Sequence, residues 1–259
     1  MVLSMTVIVF SKDRAMQLDA FLRSYEMWVS SQPLVNVLWT ATTDRHRAAY
    51  AEVFDRHRAA HSHSQSSSFK SDVLGLIPRD GNVVFFVDDQ VFVGACKIPE
   101  EPGFSLRHGL NLIRNYASGD APQPLPRLDS DGDGLQRWWW QDGVLAWGYP
   151  LSVDGHVFDA TEMREMVASC VFRSPNTLEA ELQQFLPRFL PRTGACFEHS
   201  SVVNIPWNTV QSDWVNRCAM AMTPGQMLVE WEGGKQIALA GITGVESVHQ
   251  EFPLVMEAR

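Results

Sequence analysis

The sequence has no apolar run long enough to cross a membrane, no CxxC spacing among its four cysteines, and less base than acid. Each shortage excludes something. A membrane-spanning helix needs about 20 consecutive apolar residues, and the apolar opening at residues 1–10 is interrupted at once by Ser11, Lys12, Asp13 and Arg14. That opening also lacks a basic n-region and a small-residue cleavage site, so it reads as a first strand and not as a targeting segment. Cys96, Cys170, Cys196 and Cys218 are scattered, three of them in apolar surroundings, which suits free thiols in a reducing compartment. With 21 Lys and Arg against 30 Asp and Glu, net charge −9, the chain lacks the cationic surface that nucleic acid requires. The expected setting is cytoplasmic, in solution or at the inner face of a membrane, with no nucleic-acid partner and no integral membrane segment.

What is present is the material of one α/β domain: 259 residues, 45% hydrophobic. The β-branched run at 6–10 precedes Leu18, Phe21, Leu22 and Tyr25 at i, i+3, i+4, i+7, a strand followed by an amphipathic helix. A second apolar run at 35–42 ends in Thr43 and Asp44, and Tyr50, Val53, Phe54 and His57 mark a second helical face. This βαβα alternation predicts a mostly parallel sheet covered on both sides. Residues 61–68 (HSHSQSSS) are too polar to bury a face and read as a surface loop, in which His61 and His63 have no adjacent further metal ligand. VVFFV at 83–87 is the strongest strand, continuous and therefore interior. Leu106, Leu110 and Ile113 suggest a helix, residues 120–134 a loop, and residues 149–158 a hairpin around Asp154 and Gly155. Ser174 and Pro175 open a helix with Leu178, Leu182, Phe185 and Leu186 on one face, ended by Pro187 and Pro191.

In an open parallel sheet, ligands sit beyond the carboxyl ends of the strands. Three such ends carry polar clusters here: Ser11 to Arg14, Thr43 with Asp44, and Asp88 with Asp89. Adjacent carboxylates after an apolar strand are costly to leave unpaired, and Mg²⁺ or Mn²⁺ is the ion hard oxygen ligands select. An acid pair that merely opens a turn is the competing reading. Arg107 and Asn111, four apart, would share a helix face and could hydrogen-bond sugar hydroxyls or phosphate. Trp138, Trp139, Trp140 and Trp147, with Tyr149, form either a sugar-stacking platform or mobile lid, or an aromatic subcore. Residues 129–134 (DSDGDG) imitate the start of a calcium loop, but Trp140 stands where its last acidic ligand belongs.

TVIVFSKDR at 6–14, followed by Gln17, Leu18, Asp19 and Leu22, resembles the opening of bacterial glycosyltransferases of the GT-A type, and VFFVDDQ at 84–90 resembles their acidic metal motif, DxD. FSLRHGLN at 104–111, YPLSVDGHVF at 149–158, SPNTLE at 174–179 and VHQEFP at 248–253 are similar to segments of a poorly characterised branch of that nucleotide-diphospho-sugar transferase superfamily. The resemblance implies a GT-A-like, Rossmann-type domain over 1–259, with a nucleotide-binding half at 1–118 and an acceptor-binding half at 119–259. It implies a manganese- or magnesium-dependent, hexosyltransferase-like enzyme of polysaccharide biosynthesis. The donor would be a nucleotide-diphosphate sugar, a UDP-sugar favoured, and the acceptor a glycan or lipid-linked group. Ser11, Arg14, Asp44 and Asp88 would then lie near the nucleotide, with Lys70, Arg107 and Asn111 as further contacts. Asp88, Asp89 and His249 would be metal ligands, Asp89 foremost; the acids here are adjacent where the motif spaces them. Asp154, His156 and Glu198 are the candidate catalytic bases. A nucleotidyltransferase is the alternative enzyme, disfavoured because residues 11–14 contain no glycine to receive a triphosphate; a non-catalytic carbohydrate-binding protein using the tryptophans is the other.

Overall fold

The apolar run at the start becomes β1 (Met5–Lys12) in a computed structural model that describes residues 5–130, 132, 134–210, 217–218 and 222–259. β1 pairs in parallel with β2 (Val35–Thr40) on one side and β4 (Asn82–Val87) on the other, and β3 (Ala60–Ser64) pairs in parallel with β2. The strand Val157–Asp159 closes the far edge, antiparallel to β4. The chain therefore winds outward from β1 to β2 to β3 and then crosses back to lay down β4. That reversal makes the gap between the carboxyl ends of β1 and β4 the switch point of the sheet, where this architecture leaves a crevice.

Alternation along β1 covers both faces. Val7 and Val9 enter one core with Leu18, Phe21 and Tyr25 of α1 (Ala15–Trp28) and Tyr50 and Val53 of α2 (Asp44–Arg56). Ile8 and Phe10 enter the other with Phe69 and Val73 of α3 (Phe69–Leu76) and Met163 and Val167 of α4 (Ala160–Ser169). Burying each large side chain stabilises the fold by about 1.5–3 kcal/mol. An ionic knot fastens the first core to the end of the chain. Asp19, fully buried on α1, accepts from Arg23 Nε at 2.8 Å and from His57 Nε2 at 3.0 Å, and pairs with Arg56 at 3.0 Å. Arg56 and Arg259 both lie over the Trp231 ring.

Four local expectations fail for physical reasons. Residues 61–64 are not loop but part of β3, an edge strand that needs only backbone pairing; its His63 Nε2 lies 3.1 Å from Asn36 Oδ1. Residues 106–113 form no helix. Leu106 N and Leu110 N donate to Gly155 O and Glu198 O in other segments, and a Cβ on Gly109 would stand 2.3 Å from Ser200 N. The 149–158 segment is not a hairpin, because Val157–Asp159 pairs with β4 instead of folding on itself. Pro187 does not stop the helical path: α5 (Pro175–Leu182) passes into a 3₁₀ turn and then the short helix Leu186–Phe189, where Pro187 occupies the first turn. Residues 1–4 of the expected first strand, and Asp131 and Asp133 of the calcium-like loop, lie outside the described residues.

Candidate functional site

The switch point holds a closed chain of hydrogen bonds. Ser11, at the end of β1, donates to Asp88 Oδ2 at 2.7 Å, which leaves Tyr50 of α2 to donate its hydroxyl to Ser11 at 2.5 Å; Tyr50 in turn accepts from Arg14 N at 3.1 Å. Arg14 turns back over the strand ends. Its Nη1 donates to Asp88 Oδ1 at 3.0 Å and to Asp89 Oδ2 at 3.1 Å, while Nε and Nη2 donate to the side chain and carbonyl of Asn208. One guanidinium thus ties two adjacent carboxylates to the segment after Ile205, and Ile205 N donates to Asp89 O at 2.8 Å. The turn itself is locked by Gln90, fully buried, which accepts from Val87 N and donates to Asn204 Oδ1. Burial raises Asp88 above the ordinary carboxylate range even with Arg14 opposing it, and raises Asp89 to about 7.

A second cluster adjoins the first. Arg107 Nη1 donates to Asp154 Oδ2 at 3.2 Å and to Ser152 Oγ at 2.6 Å, and His249 Nε2 stands 3.8 Å from the same Asp154 oxygen. Asp154 is close enough to Asp89 for its charge to help raise that acid. Burial and Arg107 hold His249 down to about 4. Glu179 of α5 accepts from Tyr149 Oη at 3.1 Å, Ser152 Oγ at 3.1 Å and Val153 N at 2.9 Å. Both clusters line one cleft of about 1240 Å³, above the 300–1,000 Å³ usual for a single small ligand and therefore roomy enough for two.

The chain matches no protein-family profile and no curated protein.

Ser11, Arg14, Asp88, Asp89, Arg107, Asp154, His156 and His249 all line the cleft. Four other expected residues do not. Asp44 points into solvent at the start of α2, 3.8 Å from Arg47; Thr40 and Thr42 face the cleft in its place. Lys70 donates its ammonium to Ala168 O and Cys170 O at the end of α4, both at 2.7 Å, so it is a brace between α3 and α4. Asn111, no longer on a helix face, clamps Val245 O and Ser200 N. Glu198 is exposed and contributes its carbonyl to Leu110. His156 is nearly fully buried, donates Nδ1–H to Pro150 O, and is held down to about 3 by burial and by Arg107, too weak a base to take a proton near neutrality. Trp138, Trp140 and Trp147 pack edge to face around the equally buried His108, so the aromatic subcore is the reading that holds; Trp139 alone is exposed. Sequence reasoning missed Tyr50, Asn208 and Glu179; Tyr149, expected with the tryptophans, does line the cleft. Tyr50 was visible only as a core aromatic and Glu179 only as an acid opening a helix.

For a divalent cation the donor set is partial. Asp88 Oδ1 and Oδ2 already accept from Arg14, Ser11 and Lys12 N. Among the described residues Asp89 Oδ1 accepts no hydrogen bond, and no group of three His, Cys, Asp or Glu is arranged to hold a metal. Asp89 Oδ1 alone could serve as one ligand of a hard cation, whose other positions would have to come from water or phosphate oxygens.

Proposed function

We propose that this chain is a glycosyltransferase of GT-A type that takes its sugar from a nucleoside diphosphate donor. The observation that carries the reading is the convergence of Ser11, Arg14, Asp88 and Asp89 at the β1–β4 switch point, on the floor of a cleft roomy enough for donor and acceptor together. A mostly parallel sheet flanked by helices supports it.

In this reading the diphosphate lies over the strand ends, where Arg14 and the exposed Lys12 supply positive charge against the leaving group. Asp88, already bonded by Ser11, orients the ribose. Asp89, with His249 across from Asp154, would hold a manganese or magnesium ion, which when bound supplies Lewis-acid neutralisation of the diphosphate. Arg107 and Asp154 orient the sugar or acceptor hydroxyls beside it. No described helix is long and apolar enough to cross a membrane, so a lipid-linked acceptor would be met at a surface.

The test is donor turnover, scored as nucleoside diphosphate released from UDP-glucose, UDP-galactose and GDP-mannose. Turnover is expected to vanish in Asp89→Ala and on chelation. Full activity under both conditions would reject the metal and the role of Asp89 together.

A further inference from the structure

The cleft wall built by α5 carries a carboxylate outside the strand-end clusters. Glu179 is held by three donors: Ser152 Oγ and Val153 N fill the two lone pairs of Oε2, whereas Oε1 accepts only from Tyr149. One lone pair of Oε1 stays available on a side chain whose rotamer is fixed. The neighbouring acid is placed differently. Asp154 pairs with Arg107 at 3.2 Å and faces His249, while among the described residues no cation forms an ion pair with Glu179.

We infer that Glu179 is the general base of the transfer. This inference rests on the glycosyl-transfer reading and supplies the proton acceptor it needs. Glu179 Oε1 takes the proton of the acceptor hydroxyl as that oxygen forms its bond to the anomeric carbon. The bond from the anomeric carbon to the phosphate oxygen breaks, its electron pair leaving on the diphosphate. The configuration at the anomeric carbon inverts. Tyr149, whose hydroxyl burial and Glu179 keep protonated, steers the carboxylate and stabilises it before it accepts the proton. The charges facing Glu179 are Asp154 and Arg107; burial, then Asp154, raise it to about 7, close to the pH at which a base of this kind is most effective. His156 is too weak a base and Glu198 is outside the cleft, so neither competes.

The experiment uses the full chain with UDP-glucose, UDP-galactose and GDP-mannose, water as acceptor, and sodium azide as a nucleophile that has no proton to lose. Glu179→Gln and Glu179→Ala are expected to bind nucleoside diphosphate within about threefold of wild type, which reports an intact fold and donor site. Donor turnover should fall by about 10²–10⁴-fold in both. Azide should restore Glu179→Ala at least tenfold and yield a glycosyl azide of inverted configuration. With saturating Mn²⁺ to keep Asp89 ionised, kcat/KM of wild type should rise with pH through a limb near 7 that Glu179→Gln abolishes. A variant keeping more than a third of wild-type turnover, absence of azide rescue with nucleotide binding intact, or a retained configuration would each overturn the assignment. If wild type turns over none of the three donors, what fails is the glycosyl-transfer reading of the cleft and the base assignment with it.

Discussion

Replacing Arg14 by methionine removes, among the described residues, the only guanidinium paired with Asp88 and Asp89. The two acids are adjacent in sequence, and their side chains are only 4% and 17% exposed. Breaking a buried pair by deleting one partner costs about 3–5 kcal/mol, because the remaining charge is left uncompensated. At about 2–4 °C per kcal/mol for a chain of this size, the melting temperature should drop by roughly 6–20 °C at pH 8. The pH dependence follows from the acids. Burial already raises Asp88, and raises Asp89 from 3.8 to about 7, so between those limits the folded state holds a proton that the unfolded chain has released. Wild-type stability therefore falls as pH rises through that window. Without Arg14 both acids rise further, so the deficit of Arg14→Met is greatest at pH 8 and shrinks toward pH 5. Urea unfolding at the two pH values measures it. A variant within about 1 kcal/mol of wild type at pH 8, or a deficit that grows on acidification, would refute the reasoning.

Burial alone would lower the pKa of His57, but its bonds to Asp19 and Glu26 more than offset that and raise it. The stabilisation it brings is complete below about 6.5 and is lost as pH rises through the higher folded value. His57→Gln should thus cost about 1–3 kcal/mol at pH 6 and less at pH 9 in thermal unfolding; a pH-independent difference would contradict the ion pairing. Lys70→Met should lose about 1 kcal/mol through its two carbonyl partners and leave nucleotide affinity unchanged; a tenfold loss of affinity would return Lys70 to the site.

Much of this fold is legible in the sequence where one signal dominates. β1 and β4 are continuous apolar runs because both faces of the sheet are covered, and α1 shows the spacing of a helix with one face buried. β3 is hidden because an edge strand pairs through backbone alone and places no demand on its serines and histidines. The apolar spacing of Leu106, Leu110 and Ile113 imitates a helix, but on this irregular path only Leu106 of the three enters the core, while Leu110 is half-buried and Ile113 exposed. At the site, Asp88 and Asp89 stand out as charges after a buried strand. Asp44 follows a strand end just as they do but faces solvent, a distinction carried by the start of α2 and invisible in the residue types. Glu179 is the converse: its partners Tyr149, Ser152 and Val153 come from a segment that reads as a hairpin but instead wraps along α5.

Titration calorimetry with UDP, GDP and CMP, each with and without Mn²⁺, tests the central claim most directly. One nucleoside diphosphate is predicted to bind more tightly when Mn²⁺ is present, and to lose that gain in Asp89→Ala. No binding of any of the three nucleotides, under either condition, would contradict the account.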